Sequence, residues 1–402
     1  MVSSRITRAR IRAALALVAA AMIAGCGSGR REPAAEASPA PRPDPPPAGA
    51  ITLTPVGRFD FVAPRAATPA VLAEELSGIA WLEGDHYVAI GDEHATMHRL
   101  EIELDRETGR IERVHFEKAI PLLDEKGVAI PDSLGSDREG IEVNPDGTVC
   151  ISNERTGADQ GRPSIACHRL DDGRMTRLIR TDGPDMLRVY STERLNGGFE
   201  ALTRRPDTGE VWTANEMPLT IDGDPPTDST GAVVRLQKLD RELRPVAQYA
   251  YRLDSYPQKI TIPPKLRGYA VNGLSEMLAL PGGGLLTLER TFAGDSSGLP
   301  NLRIRIYQVD LAGATDVSAL GPDAGLRRAS SYVPVAKRLL WEKNFGLSNS
   351  NFEGMTLGPQ LKNGDFPLIL VADNNGGEDE ALFALRVSGA ATTPPETSAR
   401  PR

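Results

Sequence analysis

Along the chain, short apolar runs alternate with polar positions at period two, and one arrangement of them recurs. In "GFEALTRRPDTGEVWTANE" (Gly198 to Glu216) an apolar strand leads through a turn rich in Pro, Asp and Gly into a second apolar strand, which ends on an amide and an acid. The same layout returns in "SGIAWLEGDHYVAIGDE" (Ser77 to Glu93), "EGIEVNPDGTVCISNE" (Glu139 to Glu154), "SEMLALPGGGLLTLER" (Ser275 to Arg290) and "FEGMTLGPQLKNGDFPLILVADNN" (Phe352 to Asn375). Each segment predicts a β-hairpin whose free ends carry polar side chains.

Further alternating segments follow each hairpin. They are "MHRLEIELD" and "RIERVHFEKAI" after Glu93, "SIACHRLDDGRMTRLIRT" after Glu154, and "AVVRLQKLDRELRPVAQYAYRLD" after Glu216. The fourth unit continues with "LRIRIYQVDL" and "VPVAKRLLWEK", the fifth with "ALFALRVSG". Four antiparallel strands per unit, repeating about every 60 to 75 residues without a long helix, predict an all-β chain folded as a β-propeller. Five blades are expected, or six if a degenerate unit is hidden. The fifth unit lacks an outer strand, and the isolated "ITLTPVGRFDFV" predicts the N-terminal strand that closes the ring. A two-sheet sandwich is the competing fold, but it leaves the regular spacing unexplained.

The ends of the chain read differently. Residues 1–25 carry four arginines and no acid before the apolar run "AALALVAAAMIAG", too short for a membrane span. This predicts an export signal. Its end, "IAGC", resembles a lipobox in which Cys26 would be lipidated and become the new N-terminus; an ordinary secretory signal with a chance cysteine is the alternative. Residues 26–50 are rich in Pro and Ala and predict a tether, residues 51–388 the propeller, and residues 389–402 a disordered tail. The expected location is the cell envelope, with the lipid on Cys26 in the outer membrane and the domain facing the periplasm. Loss of the signal takes the formal net charge from −8 to −12, which argues against a nucleic-acid partner.

With Cys26 lipidated, Cys150 and Cys167 form the remaining pair, in a compartment where disulfides persist. A register setting Asn153 against Ser164 places Cys150 opposite Cys167, which predicts a disulfide, with two buried thiols as the alternative.

In an antiparallel hairpin the start of the first strand lies beside the end of the second. Mirroring each hairpin about its turn sets Glu139 against Asn153 or Glu154, Glu200 against Asn215 or Glu216, Glu276 against Glu289, Glu353 against Asp373 and Ser77 against Asp92. If these hairpins are the innermost strands, one mouth of the central channel collects Asp92, Glu93, Glu139, Glu154, Glu200, Glu216, Glu276, Glu289, Glu353 and Asp373. Like charges so gathered demand neutralisation, and hard oxygen donors in that number suit Ca²⁺ better than Mg²⁺. The alternatives are ion pairing with Arg138, Arg155, Arg204 and Arg290, acids that merely face solvent, or an acid set catalytic without metal.

Other chemistry is weakly signalled. "GDSSG" (Gly294 to Gly298) fits a nucleophile-elbow pattern but has no helix after it. No histidine has zinc-type spacing, although His94 and His98 follow Asp92 and Glu93 closely enough to share the same mouth.

The blocks "SGIAW", "DREGIEV" with "ISNERTG", "GFEALTRRPDTGEVWTANE", "NGLSEMLALPGGGLLTLER" and "NFEGMTLGP" with "LILVADNN" resemble, in order, the bacterial phytase-like domain described as "esterase-like activity of phytase". The resemblance covers roughly residues 70 to 387. It implies a propeller-like repeat whose Glu and Asp residues serve phosphoester hydrolysis: Glu139, Glu154, Glu200, Glu216, Glu276, Glu289, Glu353 and Asp373. Two functions are therefore expected. One is a metal-dependent phosphoesterase acting on a small phosphoester, with Ca²⁺ as Lewis acid and Glu200, Glu216 or Glu139 as the catalytic acids. The other is a non-catalytic, membrane-tethered propeller that binds a cation structurally and a partner or envelope ligand.

Overall fold

The computed structural model describes residues 50–62, 75–92, 94–132, 137–154, 162–183, 185–255, 271–294, 300–329, 331–346, 351–373 and 379–389. The export signal, Cys26, nearly all of the tether and the tail from residue 390 lie outside them, as does Glu93. Among the described residues no helix is long and apolar enough to cross a membrane.

Among the described residues twenty strands form five four-stranded antiparallel sheets, the blades of a five-bladed propeller. The first blade is β2 (Leu76–Glu83), β3 (His86–Gly91), β4 (Thr96–Leu104) and β5 (Ile111–Pro121). The second is β6 (Arg138–Val143), β7 (Thr148–Asn153), β8 (Ser164–Arg169) and β9 (Met175–Arg180). The third is β10 (Phe199–Arg204), β11 (Val211–Asn215), β12 (Ala232–Leu239) and β13 (Pro245–Leu253). The fourth is β14 (Val271–Ala279), β15 (Leu285–Gly294), β16 (Pro300–Asp310) and β17 (Ala336–Gly346). The fifth is β18 (Asn351–Leu357), β19 (Phe366–Asp373), β20 (Asp379–Ser388) and, as its outermost strand, β1 (Thr52–Val62). Thr52 pairs with Ser388 and Val62 with Asp379, so the first and last strands of the domain close the ring together.

The inner hairpins turn where small polar residues allow a left-handed backbone: Gly147 has φ 82° in Asp146-Gly147, and Gly364 has φ 89° in Asn363-Gly364. Each blade is apolar on both faces, so each junction between blades holds its own core. Ile369 and Val371 of β19 pack towards the first blade, whereas Leu368 and Leu370 pack towards the fourth. That two-sided burial explains why "LILVA" reads as a continuous apolar run. In the second blade Asn153 lies opposite Ser164 and Cys150 opposite Cys167, and the two cysteines are disulfide-bonded.

The inner strands β2, β6, β10, β14 and β18 neighbour one another in a closed cycle. They approach so tightly that a Cβ on Gly78 would stand 2.2 Å from the Glu139 carbonyl oxygen, and one on Gly354 would stand 2.5 Å from that of Ser77. The next inner strand is held by side chains as well. The hydroxyl of Thr356 accepts the Trp81 N–H at 3.1 Å, Glu142 accepts that of Arg204 at 2.9 Å, and Thr203 accepts that of Ala279 at 3.0 Å. Edge N–H groups that no strand can pair are thereby satisfied.

Candidate functional site

Every inner hairpin carries a β-bulge where its first strand begins, and the bulge re-aims one side chain. The register slips between Leu76 and Gly78, Arg138 and Ile141, Phe199 and Ala201, Leu274 and Glu276, and Phe352 and Gly354. The residues set apart are Ser77, Glu139 with Gly140, Glu200, Ser275 and Glu353. A second equivalent position lies just past the register of the partner strand. The Asp92 N–H donates to the Glu75 carbonyl, that of Glu154 to Asp137 and that of Glu216 to Gly198, while Arg290 pairs with Gly273 and Asp373 with Asn351. Asp92, Glu154, Glu216, Arg290 and Asp373 thus form a second tier. The mirror pairings expected from the turns are shifted by these bulges: Phe199, not Glu200, faces Asn215, and Asn351, not Glu353, faces Asp373.

The acids concentrate on the second and third blades. Carboxylate oxygens of Asp137, Glu139 and Glu154 lie within 4.8 Å of one another, and so do those of Glu154, Glu200 and Glu216. Glu154 joins the two groups, and all five residues are buried. Its Oε1 accepts the Gly198 N–H at 2.9 Å, whereas Oε2 of Glu200 receives no hydrogen bond. Burial raises the Glu139, Glu154 and Glu200 carboxyls well above the usual range, and neighbouring carboxylates raise them further: Asp137 and Glu353 for Glu139, Asp137 and Glu216 for Glu154, Glu139 and Glu154 for Glu200. Asp92 adds to the negative field on Glu139.

The fourth blade answers with a cation. Arg290 Nη2 lies 2.8 Å from Glu216 Oε1, and Nη1 lies 2.7 Å from Glu353 Oε1 and 2.8 Å from Asn351 Oδ1. Its Nε donates to Ser275 Oγ at 3.2 Å. The Asn351 amide donates to Glu353 at 2.9 Å and to Asp373 Oδ2 at 3.1 Å, tying the fifth blade's acids to the same group. Arg138 is buried beside Asp132, Asp137 and Asp92; desolvation pushes its pKa down to about 10 against the pull of those acids.

The structure brings Asp92, Glu139, Glu154, Glu200, Glu216, Glu353 and Asp373 to the ring and leaves two of the expected acids elsewhere. Glu276 follows the bulged Ser275, so it occupies the place that Gly78, Gly140, Ala201 and Gly354 take in the other blades. Its Oε1 accepts the N–H groups of Met277 at 2.8 Å and Leu202 at 3.1 Å, binding inner strands together. Glu289 pairs with Leu274 and points into the junction of the third and fourth blades. There it accepts from the Tyr251 hydroxyl at 2.8 Å, Lys337 Nζ at 2.5 Å and Asn272 Nδ2 at 3.1 Å, with Arg305 at 3.4 Å. Asp137, a member of the cluster, escaped the sequence reading although it immediately precedes "REGIEV" and backs onto Glu154. Arg155 and residues 295–298 of "GDSSG" lie outside the described residues. Arg204 is spent on Gly209 O at 2.6 Å and on Asn144. His98 is buried against Phe116, and His94 pairs with Asp132 at 3.2 Å.

Among solved structures, the chain is similar to an endo-arabinase from Bacteroides thetaiotaomicron (12% identity, 75% of this chain and 88% of the other, TM-score 0.38). It is similar also to regucalcin from Agrobacterium tumefaciens, a calcium-binding protein (12% identity, 79% of each chain, TM-score 0.33). A third is the PQQ-bound aldose sugar dehydrogenase from Streptomyces coelicolor (14% identity, 83% of this chain and 100% of the other, TM-score 0.31). At these values the likenesses carry no argument about ligand or activity. No curated protein is significantly similar in sequence. Residues 72–376 match the phytase-like family described as "esterase-like activity of phytase", and the chain belongs to that family.

Proposed function

We propose that the acidic mouth holds a divalent cation, Ca²⁺ by preference, and that the protein is a metal-dependent phosphoesterase of the cell envelope. The observation that carries this reading is the pair of carboxylate triads sharing Glu154, with a buried Glu200 oxygen that no donor satisfies. A buried anion without donors costs several kcal/mol or takes up a proton, and a hard cation removes that cost. The donor set fits such an ion, since it is all oxygen and carries the charge that Ca²⁺ sites use. Asp137, Glu139, Glu154, Glu200 and Glu216 would hold it. When bound, the ion would supply Lewis-acid polarisation of a phosphoryl oxygen and lower the pKa of a water. The protein's own contribution is a rigid, buried frame and a carboxylate able to take a proton. Glu139, Glu200 and Glu216 are the residues we assign to that role.

A second reading, a non-catalytic tethered propeller with a structural cation, draws support from Arg290. Its guanidinium is committed to Glu216, Glu353, Asn351 and Ser275 rather than held open for a phosphate. The envelope location rests on the signal and lipobox pattern, with Cys26 as membrane anchor. The readings separate in one experiment: metal analysis of the purified protein, followed by turnover of phosphomonoesters and phosphodiesters with and without Ca²⁺. Bound Ca²⁺ with Ca²⁺-dependent turnover supports the enzyme; tight Ca²⁺ without turnover on either class leaves the structural role.

A further inference from the structure

We infer that Arg290 is a resident cation of the ring, filling the fourth blade's sector and so confining divalent cations in the mouth to the second and third blades. This rests on the cation reading above and adds the residue that keeps the fourth blade's sector closed to an ion. At the position of Arg290 the other blades carry Asp92, Glu154, Glu216 and Asp373, and at the position of Ser275 three of them carry Glu139, Glu200 and Glu353. At these two positions the fourth blade alone carries a positive charge and no acid.

The guanidinium is built in. Glu216 Oε1, Glu353 Oε1, Asn351 Oδ1 and Ser275 Oγ converge on it at 2.7 to 3.2 Å. Gly273 clears the approach, because a Cβ there would stand 2.3 Å from Glu216 Oε1. Taken without the arginine, this sector is lined by four oxygens, two of them carboxylate, with Asp373 tied to the same Asn351. That is the donor chemistry of a Ca²⁺ site completed by water. With the arginine in place, a divalent ion in this sector meets a fixed positive charge at contact distance. Among the described residues Glu139, Glu154 and Glu200 have no such ion pair, so the ion is directed to them.

The test is the Ca²⁺ stoichiometry of the full chain, measured by calorimetric titration and by metal analysis after dialysis, for the wild type, Arg290→Met and Arg290→Lys. The expected result is one ion more in Arg290→Met than in the wild type, and the wild-type count in Arg290→Lys. An unchanged count in Arg290→Met overturns the inference and leaves the cation reading standing. An extra ion in Arg290→Lys, where the positive charge is kept, overturns it as well, even if Arg290→Met fails to fold. No ion in the wild type removes both.

Discussion

Gly273 lies so close to Glu216 that a Cβ built on it would stand 2.3 Å from the Oε1 atom and 2.6 Å from Cδ of that carboxylate. The glycine is the reason that Glu216 and Arg290 can meet between the third and fourth blades. Gly273→Ala therefore drives a buried carboxylate out of its ion pair, at a cost of about 1–3 kcal/mol. A second consequence falls on the cation, whose ligand Glu216 is displaced: the Ca²⁺ titration midpoint should rise about tenfold or more, equivalent to at least about 1.4 kcal/mol. Urea unfolding and calcium titration of the variant check both.

Gly78 performs a different task, because its neighbour is backbone. A Cβ there would meet the Glu139 carbonyl at 2.2 Å and the Ile141 nitrogen at 3.1 Å, and no side-chain rotation relieves that. Gly78→Ala should push the first and second inner strands apart and cost more than about 3 kcal/mol. Gly57, with nothing within 4 Å of its Cβ position, is the control. Gly57→Ala should stay within about 0.5 kcal/mol of the wild type in urea unfolding.

Glu142 gives the fold a pH dependence outside the acidic mouth. Burial pushes its carboxyl up to about 7, against the lowering effect of the Arg204 and Val143 N–H groups it accepts. A carboxyl raised in the folded state binds its proton more tightly there than in the unfolded chain. Its contribution is therefore complete below the ordinary value of 4.5 and lost as pH rises through about 7. The loss attributable to this one residue is up to about 3 kcal/mol. Glu142→Gln should flatten that part of the profile, read by urea unfolding at intervals from pH 4.5 to 7.5; an unchanged slope would show that the proton is not held there.

Much of this architecture is legible in the sequence, because two-sided blades impose period-two runs and each inner hairpin needs a turn glycine. The closing strand was visible as an alternating segment with no partner nearby, and β1 meets β20 as that absence requires. The ring was legible only in outline. Mirror symmetry about a turn assumes a regular ladder, and each hairpin breaks the ladder at the bulged residue, an acid in three blades and a serine in the other two. In the fourth blade the consequence is largest: "LSEM" puts serine at the bulge, so Glu276 falls one residue late and becomes a strap between strands, while Arg290 takes the ring position that Glu289 was expected to hold. The sign of a ring position cannot be read from the hairpin pattern alone, since it depends on which residue the bulge turns inward.

The most direct test of a cation at Glu154 and its neighbours is thermal unfolding in chelator and in saturating Ca²⁺ for the wild type, Glu200→Gln and Glu276→Gln. A ligand at about a hundred times its dissociation constant adds about 2.7 kcal/mol, so the wild type should melt about 4 °C higher in Ca²⁺. Glu276→Gln lies off the ring and should keep that increment from a lower starting stability. Glu200→Gln removes a charged ligand and should lose most of it. A wild-type melting temperature that is the same in chelator and in Ca²⁺, or a full calcium response in Glu200→Gln, would contradict the account.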